Sequence, residues 1–220
     1  MMVCTSNKKK IDGVWVGRMT NEQRKNGGIW VIGNTPYDSA EDYPGKNAGE
    51  FLVKSWVATP ERYGSGQYPF KDRREESMWE YVRVFSGELI CTLRSPVAGE
   101  ECLYRLSSAD EGTDIPPDFF RKWELPSGID TATGITLIHQ PALTDPAYIF
   151  SFWDGLEDDE TLKPESTWQY IEVFSGQLLL QFQEKQQSLQ EGNHIFVPPG
   201  IPFSAHISEG SRGVQILYKS

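Results

Sequence analysis

The chain has 220 residues and a formal net charge of −10, with 38% hydrophobic and 12% aromatic residues. This composition is typical of a folded protein, and the length allows one large or two small domains. The negative charge argues against nucleic acid and anionic membranes as partners, because clustered Lys and Arg drive binding to both. No stretch approaches the roughly 20 apolar residues of a membrane-spanning helix.

Short apolar runs separated by glycine, proline and asparagine predict β-strands along the whole chain. The predicted strands, in chain order, are Gly28–Ile32, Glu50–Ala58, Trp79–Phe85, Glu88–Leu93, Cys102–Leu106, Ile135–Ile138, Tyr148–Trp153, Ile171–Phe174, Gln177–Phe182, His194–Val197 and Val214–Tyr218. Only Pro117–Trp123 and Glu157–Leu162 suggest helical turns, and both are short. We therefore expect an all-β fold.

One segment of twelve residues occurs twice. Met78–Leu89 reads MWEYVRVFSGEL and Thr167–Leu178 reads TWQYIEVFSGQL, with seven identical positions. The likeness extends beyond the twelve, because Phe51–Trp56 resembles Tyr148–Trp153. An internal copy of this kind indicates that one supersecondary unit is used twice.

The repeat predicts two domains. Proline, aspartate and threonine between Pro141 and Pro146 mark a connector. We therefore predict an N-terminal domain over 1–143, with an N-terminal extension, and a C-terminal domain over 144–220. The three cysteines have no metal-ligand spacing, and the first residues lack the order of a secretory signal. These features favour a cytoplasmic location.

The segment Gly192–Phe203, which reads GNHIFVPPGIPF, resembles the second motif of the cupin family. In that motif Gly, five residues, Pro, one residue, Gly and two residues precede a metal-binding His. The first cupin motif is H-x-H, three or four residues, Glu, six residues and Gly. Its closing interval is kept by Glu80 with Gly87 and by Gln169 with Gly176. The chain is thus similar to bicupins, which implies two tandem β-barrels of the jelly-roll or double-stranded β-helix type.

The positions that bind metal in cupins carry other residues in this chain. A metal cupin needs three imidazoles and a carboxylate that converge inside the barrel. In the second half these positions hold Lys163, Glu165, Gln169 and Phe203. In the first half they hold Arg74, Glu76, Glu80 and Arg121. The resemblance therefore implies degenerate motifs, with no bound metal and no other cofactor.

The two halves differ at the positions that the family resemblance places inside the barrels. Glu80 is the candidate catalytic residue, as a general base, and Arg121 is the candidate anchor for a carboxylate or phosphate. Arg74, Glu76 and His139 are further candidates for substrate binding. The alternative is that Arg74, Glu75, Glu76 and Arg121 belong to solvated loops or a rim and form surface ion pairs, because charge runs are usually exposed. The second barrel, with Gln169 and Phe203, is expected to be a packed core.

These observations favour a metal-independent bicupin that binds a small polar, anionic molecule in its N-terminal barrel. As an enzyme it would be an isomerase, epimerase or lyase. The alternative is a non-catalytic ligand-sensing or assembly module, and a homodimer is one expected assembly. A second alternative is an atypical metal-dependent dioxygenase that uses Glu80 with His139. Whether the protein is an enzyme stays open, because cupin-like barrels have many functions.

Overall fold

The computed structural model describes residues 9–11, 13–25, 28–33, 44–45, 51–63, 78–139, 148–153, 162 and 164–219. Regular structure in this part is almost entirely β, which confirms the predicted fold class. The helices described are α1 (Asn21–Lys25) and α2 (Pro60–Tyr63). Neither is long and apolar enough to cross a membrane.

The seventeen strands of the described part follow in chain order. They are β1 (Lys9–Ile11), β2 (Val14–Arg18), β3 (Ile29–Ile32), β4 (Leu52–Ala58), β5 (Trp79–Ser86), β6 (Glu88–Arg94), β7 (Glu101–Ser107), β8 (Thr113–Ile115), β9 (Phe120–Glu124), β10 (Ala132–His139), β11 (Tyr148–Trp153), β12 (Trp168–Ser175), β13 (Gln177–Phe182), β14 (Lys185–Gln190), β15 (Asn193–Val197), β16 (Ser204–Ile207) and β17 (Arg212–Tyr218).

The strands belong to two compact units. The N-terminal unit comprises Glu22–Pro36 and Glu50–Leu143, and the C-terminal unit comprises Met1–Asn21, Tyr37–Gly49 and Thr144–Ser220. The N-terminal unit has a five-stranded sheet, in the order β3-β4-β10-β5-β8, and a three-stranded sheet, in the order β7-β6-β9. The C-terminal unit has a six-stranded sheet, β1-β2-β15-β12-β17-β11, and a three-stranded sheet, β14-β13-β16. Each unit therefore combines a large antiparallel sheet with a small one.

The core of each unit lies between its two sheets. In β5 every second residue is buried, as a strand with one core-facing side requires. The same alternation in β6 directs a second set of apolar side chains into the same cluster. The core of the N-terminal unit includes Val82, Val84, Leu89, Cys91, Leu93, Leu106 and Ile115. The core of the C-terminal unit includes Ile171, Val173, Leu178, Leu180, Leu189, Ile195, Val197 and Phe203.

The strand β2 pairs with β15 in the sheet of the C-terminal unit, in register from Asn193 opposite Arg18 to Phe196 opposite Trp15. The predicted N-terminal domain, 1–143, includes this strand, whereas the structure places it among strands from the other end of the chain. Sequence position alone does not reveal such a pairing, because it closes a very long loop.

The repeated twelve residues form the same hairpin in both units. They build β5 and β6 in one unit and β12 and β13 in the other. Gly87 and Gly176 occupy the two turns with φ of 74°. A side chain at Gly87 would overlap the carbonyl oxygen of Thr131, and one at Gly176 would overlap Ser211. Both the backbone angle and the close packing therefore require glycine at this turn.

A second correspondence joins a tryptophan to a glycine on the neighbouring strand. Trp56 lies opposite Gly134 in the N-terminal unit, and Trp153 lies opposite Gly213 in the C-terminal unit. A Cβ at either glycine would overlap the tryptophan ring. On its other side, each glycine-bearing strand shifts register beside the glycine, β10 against β5 and β17 against β12. The repetition of this detail supports duplication of one structural unit.

The helical turn predicted for Pro117–Trp123 is wrong, because β9 begins at Phe120. The strand pairs with β6, and Trp123 lies opposite Cys91. Pairing with a neighbouring strand overrode the weak local preference for a turn. The predicted turn at Glu157–Leu162 lies almost wholly outside the described residues, which include only Leu162.

Candidate functional site

The carboxylate of Glu80 points into the core of the N-terminal unit. Glu80 shares the buried face of β5 with Val82 and Val84, and only 4% of the residue is exposed. Its cross-strand neighbours are Ile138 on β10 and Ile115 on β8. A charged group among such side chains is costly unless a partner compensates it.

Arg121 provides that partner from the opposite sheet. It lies on β9 opposite Leu93 of β6, so its side chain shares the core-facing side of the three-stranded sheet. Its Nη2 donates a hydrogen bond to Oε1 of Glu80 over 2.6 Å. The side chains of Glu80 and Arg121 are 5% and 20% exposed. The ion pair therefore joins the two sheets, and of its two side chains Arg121 is the more exposed.

The guanidinium group has donor capacity that the pair does not use. Nη1 of Arg121 is buried and has no hydrogen-bond partner within the described residues. A buried donor without an acceptor is unfavourable, and in native proteins it calls for an explanation. Arginine offers several donors in one plane, a geometry that matches carboxylates and phosphates. The arrangement can therefore hold an anion beside Glu80.

Cys91 completes the polar groups around this pair. It lies on β6 and is fully buried. Burial raises the pKa of the thiol to about 12, the Arg121 charge opposes this rise, and the Glu80 charge adds to it. The thiol is thus protonated at neutral pH and is not a nucleophile there. The charges of Arg121 and Glu80 both act on the pKa of this thiol, so Cys91 lies close to the ion pair.

The corresponding positions of the C-terminal unit carry no charge. Gln169 replaces Glu80 and accepts a hydrogen bond from Nε2 of Gln215 over 2.7 Å, inside the protein. Phe203 occupies the position that corresponds to Arg121. When the pairing of β13 with β16 is extended by one residue, Phe203 lies opposite Phe182, just as Arg121 lies opposite Leu93 in the other unit. The two rings pack with centroids 5.6 Å apart. An amide pair and an aromatic pair thus fill this core.

The remaining residues predicted for the site do not join it in the described part of the chain. His139 lies opposite Trp79, whereas Glu80 lies opposite the adjacent Ile138. Adjacent residues of a strand point to opposite faces, so His139 and Glu80 lie on different sides of the sheet. Nε2 of His139 is 3.9 Å from Oδ1 of Asp114. Arg74 and Glu76 lie outside the described residues.

A metal of the cupin type does not fit the donors at this site. Where the family has its last histidine, the guanidinium group of Arg121 binds the carboxylate of Glu80 and adds a positive charge. The C-terminal unit offers Gln169 and Phe203, of which neither is a strong ligand. His206 is exposed on β16, and His194 belongs to the face of β15 opposite Ile195 and the core. Over the residues that the structure describes, no three His, Cys, Asp or Glu side chains are grouped to hold an ion.

A pocket of about 140 Å³ opens in the C-terminal unit. Its apolar side is formed by Val14, Val16, Phe182, Ile201 and Pro202, and its polar side by Gln183, Lys185, Gln186 and Gln187. The apolar runs used to predict strands did not indicate this pocket, because they included neither β2 nor β14, and these two strands supply most of the lining. A signal does exist in the short apolar run Val14-Trp15-Val16.

The inner face of β13 and β14 changes from apolar to polar toward the pocket. Leu178 lies opposite Leu189, Leu180 opposite Gln187, and Phe182 opposite Lys185. The first pair is fully buried, whereas Lys185 is exposed. The pocket therefore has an apolar floor continuous with the core and a rim of amides with one cation.

Three solved structures illustrate what the chain is similar to. The putative glyoxylate-induced protein from Pseudomonas aeruginosa has a TM-score of 0.55 and 11% identity, covering 98% of this chain and 91% of that chain. Protein Ylba from E. coli has a TM-score of 0.51 and 10% identity, covering 96% and 86%. A cupin 2 conserved barrel domain protein from Leptotrichia buccalis has a TM-score of 0.49 and 14% identity, covering 79% and 86%.

These neighbours are cupin-fold proteins, and the chain has an all-β fold of the cupin type. The conclusion rests on the first two structures, and at such low identity it concerns the fold alone. No family model matches the sequence. No curated protein matches it either. Function must therefore be argued from the residues of the chain itself.

Proposed function

We propose that the protein binds a small anionic molecule inside its N-terminal unit, with Arg121 as the anchor. One observation carries the proposal: the guanidinium group binds Glu80 through Nη2 and keeps a second buried nitrogen, Nη1, without a described partner. A carboxylate or phosphate supplies the missing acceptor. The Arg121 side chain is 20% exposed although Nη1 itself is buried, so we infer that an anion reaches Nη1 through a small movement of this side chain.

Glu80 has two roles in this proposal. Its carboxylate holds Arg121 in place by charge and hydrogen bonding, which reduces the entropy lost when an anion binds. It also balances the positive charge while the site is empty of ligand. Because Glu80 already neutralises part of the Arg121 charge, the site favours a ligand with one compact anionic group.

The protein as a whole is proposed to be a bicupin with degenerate metal motifs. The support comes from features that recur in the two units: the hairpin with its turn glycine, the tryptophan packed on a glycine, and the pairing of a large with a small sheet. At the two positions that carry Glu80 and Arg121, charge is retained in only one unit. We infer that this difference assigns ligand binding to the N-terminal unit and packing to the corresponding core of the other.

A panel of sugar phosphates and small carboxylic acids tests the anion site. Thermal unfolding of the full chain should shift upward with at least one member, and Arg121→Met should abolish the shift. Lys122→Met is the matched control, because Lys122 is the next residue on the same strand and pairs with Glu124. The control should keep the shift. A shift that survives in Arg121→Met, or that disappears equally in both variants, contradicts the proposal.

An enzymatic form of the proposal uses Glu80 as a base. When Arg121 turns to the carboxylate of a substrate, Glu80 is released to accept a proton from the adjacent carbon, as an isomerase, epimerase or lyase requires. The panel ligand is then incubated with protein in D₂O. Deuterium incorporation next to the carboxylate, detected by proton NMR and lost in Glu80→Gln, supports catalysis. Binding without any exchange supports a ligand sensor.

The pocket of the C-terminal unit favours a second candidate function, the sensing of a small apolar molecule. An apolar cavity of roughly 150 Å³ in a protein core binds benzene, so the observed volume suits a single ring. Benzyl alcohol is a suitable probe, and methyl NMR of Val14 and Val16 reads its binding. Ile201→Trp should fill the pocket and remove the response. Val97→Trp, at a residue that is 95% exposed, is the control and should leave the response intact.

A further inference from the structure

The strand β7 is the edge of its sheet and is unusually exposed. It pairs with β6 on one side, and β9 lies beyond β6. Five consecutive residues, Glu101 to Arg105, are all exposed. Two of them are large and apolar: Leu103 is 65% exposed and Tyr104 is 41% exposed. Soluble proteins usually protect such an edge, because its backbone groups can pair with another strand.

The sequence of this edge is complementary to itself. It reads Glu101-Cys102-Leu103-Tyr104-Arg105. In an antiparallel pair of two copies centred on Leu103, each Glu101 lies opposite Arg105 of the second copy. The same register sets Leu103 opposite itself and Cys102 opposite Tyr104. Shifting the register by two residues would remove both charge pairs.

The neighbouring ion pairs extend this charge pattern. Nη2 of Arg94 lies 2.7 Å from Oε1 of Glu101, and Nε of Arg105 lies 3.1 Å from Oε1 of Glu88. Oε2 of Glu101 and the terminal nitrogens of Arg105 take no part in these two contacts. When two edges pair, Glu88 and Arg105 of one copy would form a row of four alternating charges with Glu101 and Arg94 of the second copy. The twofold symmetry would repeat this row. Networks of this kind stabilise more than isolated surface pairs.

We propose that β7 is a dimerisation strand that pairs antiparallel with β7 of a second copy of this chain, centred on Leu103. The contact is isologous, as twofold symmetry requires. It joins two three-stranded sheets into one continuous sheet of six strands and covers Leu103 and Tyr104. The charge pairs of the proposal do not involve the anion site, because Glu101, Leu103 and Arg105 lie on the other side of the sheet from Leu93 and Arg121.

Charge reversal gives a specific test of the register. The full-length wild-type chain should sediment as a dimer at about 100 μM. Glu101→Arg and Arg105→Glu should each weaken dimerisation about tenfold, because each puts like charges opposite one another twice. The double variant, Glu101→Arg with Arg105→Glu, restores opposite charges in both contacts and should recover the dimer. A monomeric wild type, or a double variant no better than the single ones, overturns the proposal.

Cross-linking provides a second test that does not depend on affinity. In the proposed register Tyr104→Cys places a new thiol directly opposite Cys102 of the second copy, where Cβ atoms are about 5 Å apart. Cys102 is a free, exposed cysteine. Oxidation of Tyr104→Cys in a Cys4→Ser background should give a covalent dimer on a non-reducing gel. Ser108→Cys, just beyond β7, is the control and should not cross-link; equal cross-linking of both variants would contradict the register.

Discussion

Removal of the Arg121 side chain should destabilise the N-terminal unit strongly. Arg121→Met keeps most of the apolar volume but leaves the Glu80 carboxylate, which is only 5% exposed, without its partner. Breaking a buried pair from one side costs about 3–5 kcal/mol. Arg121 is 20% exposed, so water can partly replace it, and we expect a loss near the lower end, about 3 kcal/mol.

A double-mutant cycle separates the pair from the packing around it. Glu80→Gln should cost less, about 1–2 kcal/mol, because Arg121 can still reach solvent. The combination Glu80→Gln with Arg121→Met should cost only about 1–2 kcal/mol in total, since no buried charge remains. The C-terminal unit already accommodates Gln169 and Phe203 at these positions. The expected coupling energy is therefore about 2–3 kcal/mol.

Urea unfolding followed by tryptophan fluorescence and circular dichroism measures these free energies, with Lys122→Met as the reference. The reference should stay within about 1 kcal/mol of the wild type, because the Lys122–Glu124 pair is partly open to water, with side chains 23% and 18% exposed, and removal of Lys122 leaves no fully buried charge. If Arg121→Met lowers the free energy of unfolding by less than about 1 kcal/mol, the Glu80 carboxylate is not a buried charge that depends on Arg121. A double variant as unstable as the sum of the single ones would show that the two residues do not interact.

Three further predictions concern other parts of the fold. Iodoacetamide at pH 8 should modify Cys102 rapidly and Cys91 only on unfolding, because burial raises the pKa of Cys91 to about 12; similar rates by mass spectrometry would count against this burial. The free energy of unfolding should fall as pH rises above about 9, because burial raises the pKa of Cys91 and the folded protein keeps a proton that the unfolded chain releases. Cys91→Val should make this fall with pH less steep. An equally steep fall in Cys91→Val would contradict the prediction. Gly134→Ala should cost about 1–3 kcal/mol in urea unfolding, because the new methyl group overlaps the Trp56 ring, and a neutral effect would contradict that packing.

The strands with a clear apolar pattern could be predicted from the sequence. Tyr148–Trp153 and Gln177–Phe182 were predicted with the bounds that the structure shows, and the other predicted strands differ by one to three residues at their ends. These segments alternate or are continuously apolar, so local pattern and tertiary position agree. The all-β class followed directly from them.

Two of the strands that the sequence did not reveal have mixed or polar patterns. Lys185–Gln190 reads KQQSLQ, in which Leu189 alone is apolar. It forms a strand because it pairs with Gln177–Phe182, whose inner face it covers. Phe120–Glu124 has charges on both faces and owes its strand to the pairing with Glu88–Arg94. Pairing of this kind depends on tertiary contacts that no local pattern records.

The candidate site was predicted in part. Comparing the two halves singled out Glu80 and Arg121, and the structure brings these two side chains together. The internal duplication made this possible, since it separates positions that maintain the scaffold from positions that differ. The sequence alone could not exclude His139 from the site, because the face of the sheet on which a residue lies depends on the register between neighbouring strands. The pocket beside Lys185 was missed because it combines residues from distant strands.

The most direct test of the anion site observes Arg121 itself while a ligand binds. The full chain is labelled with [¹⁵N]arginine, and the side-chain Nε–H signals are followed by NMR during titration with the panel anion that gives the largest thermal shift. Assignment uses Arg121→Met, and Arg94, which pairs with Glu101 on the surface, serves as the internal reference. The account predicts a saturable change at Arg121 with Arg94 unaffected. Saturable binding of the anion without any change at Arg121 would contradict it.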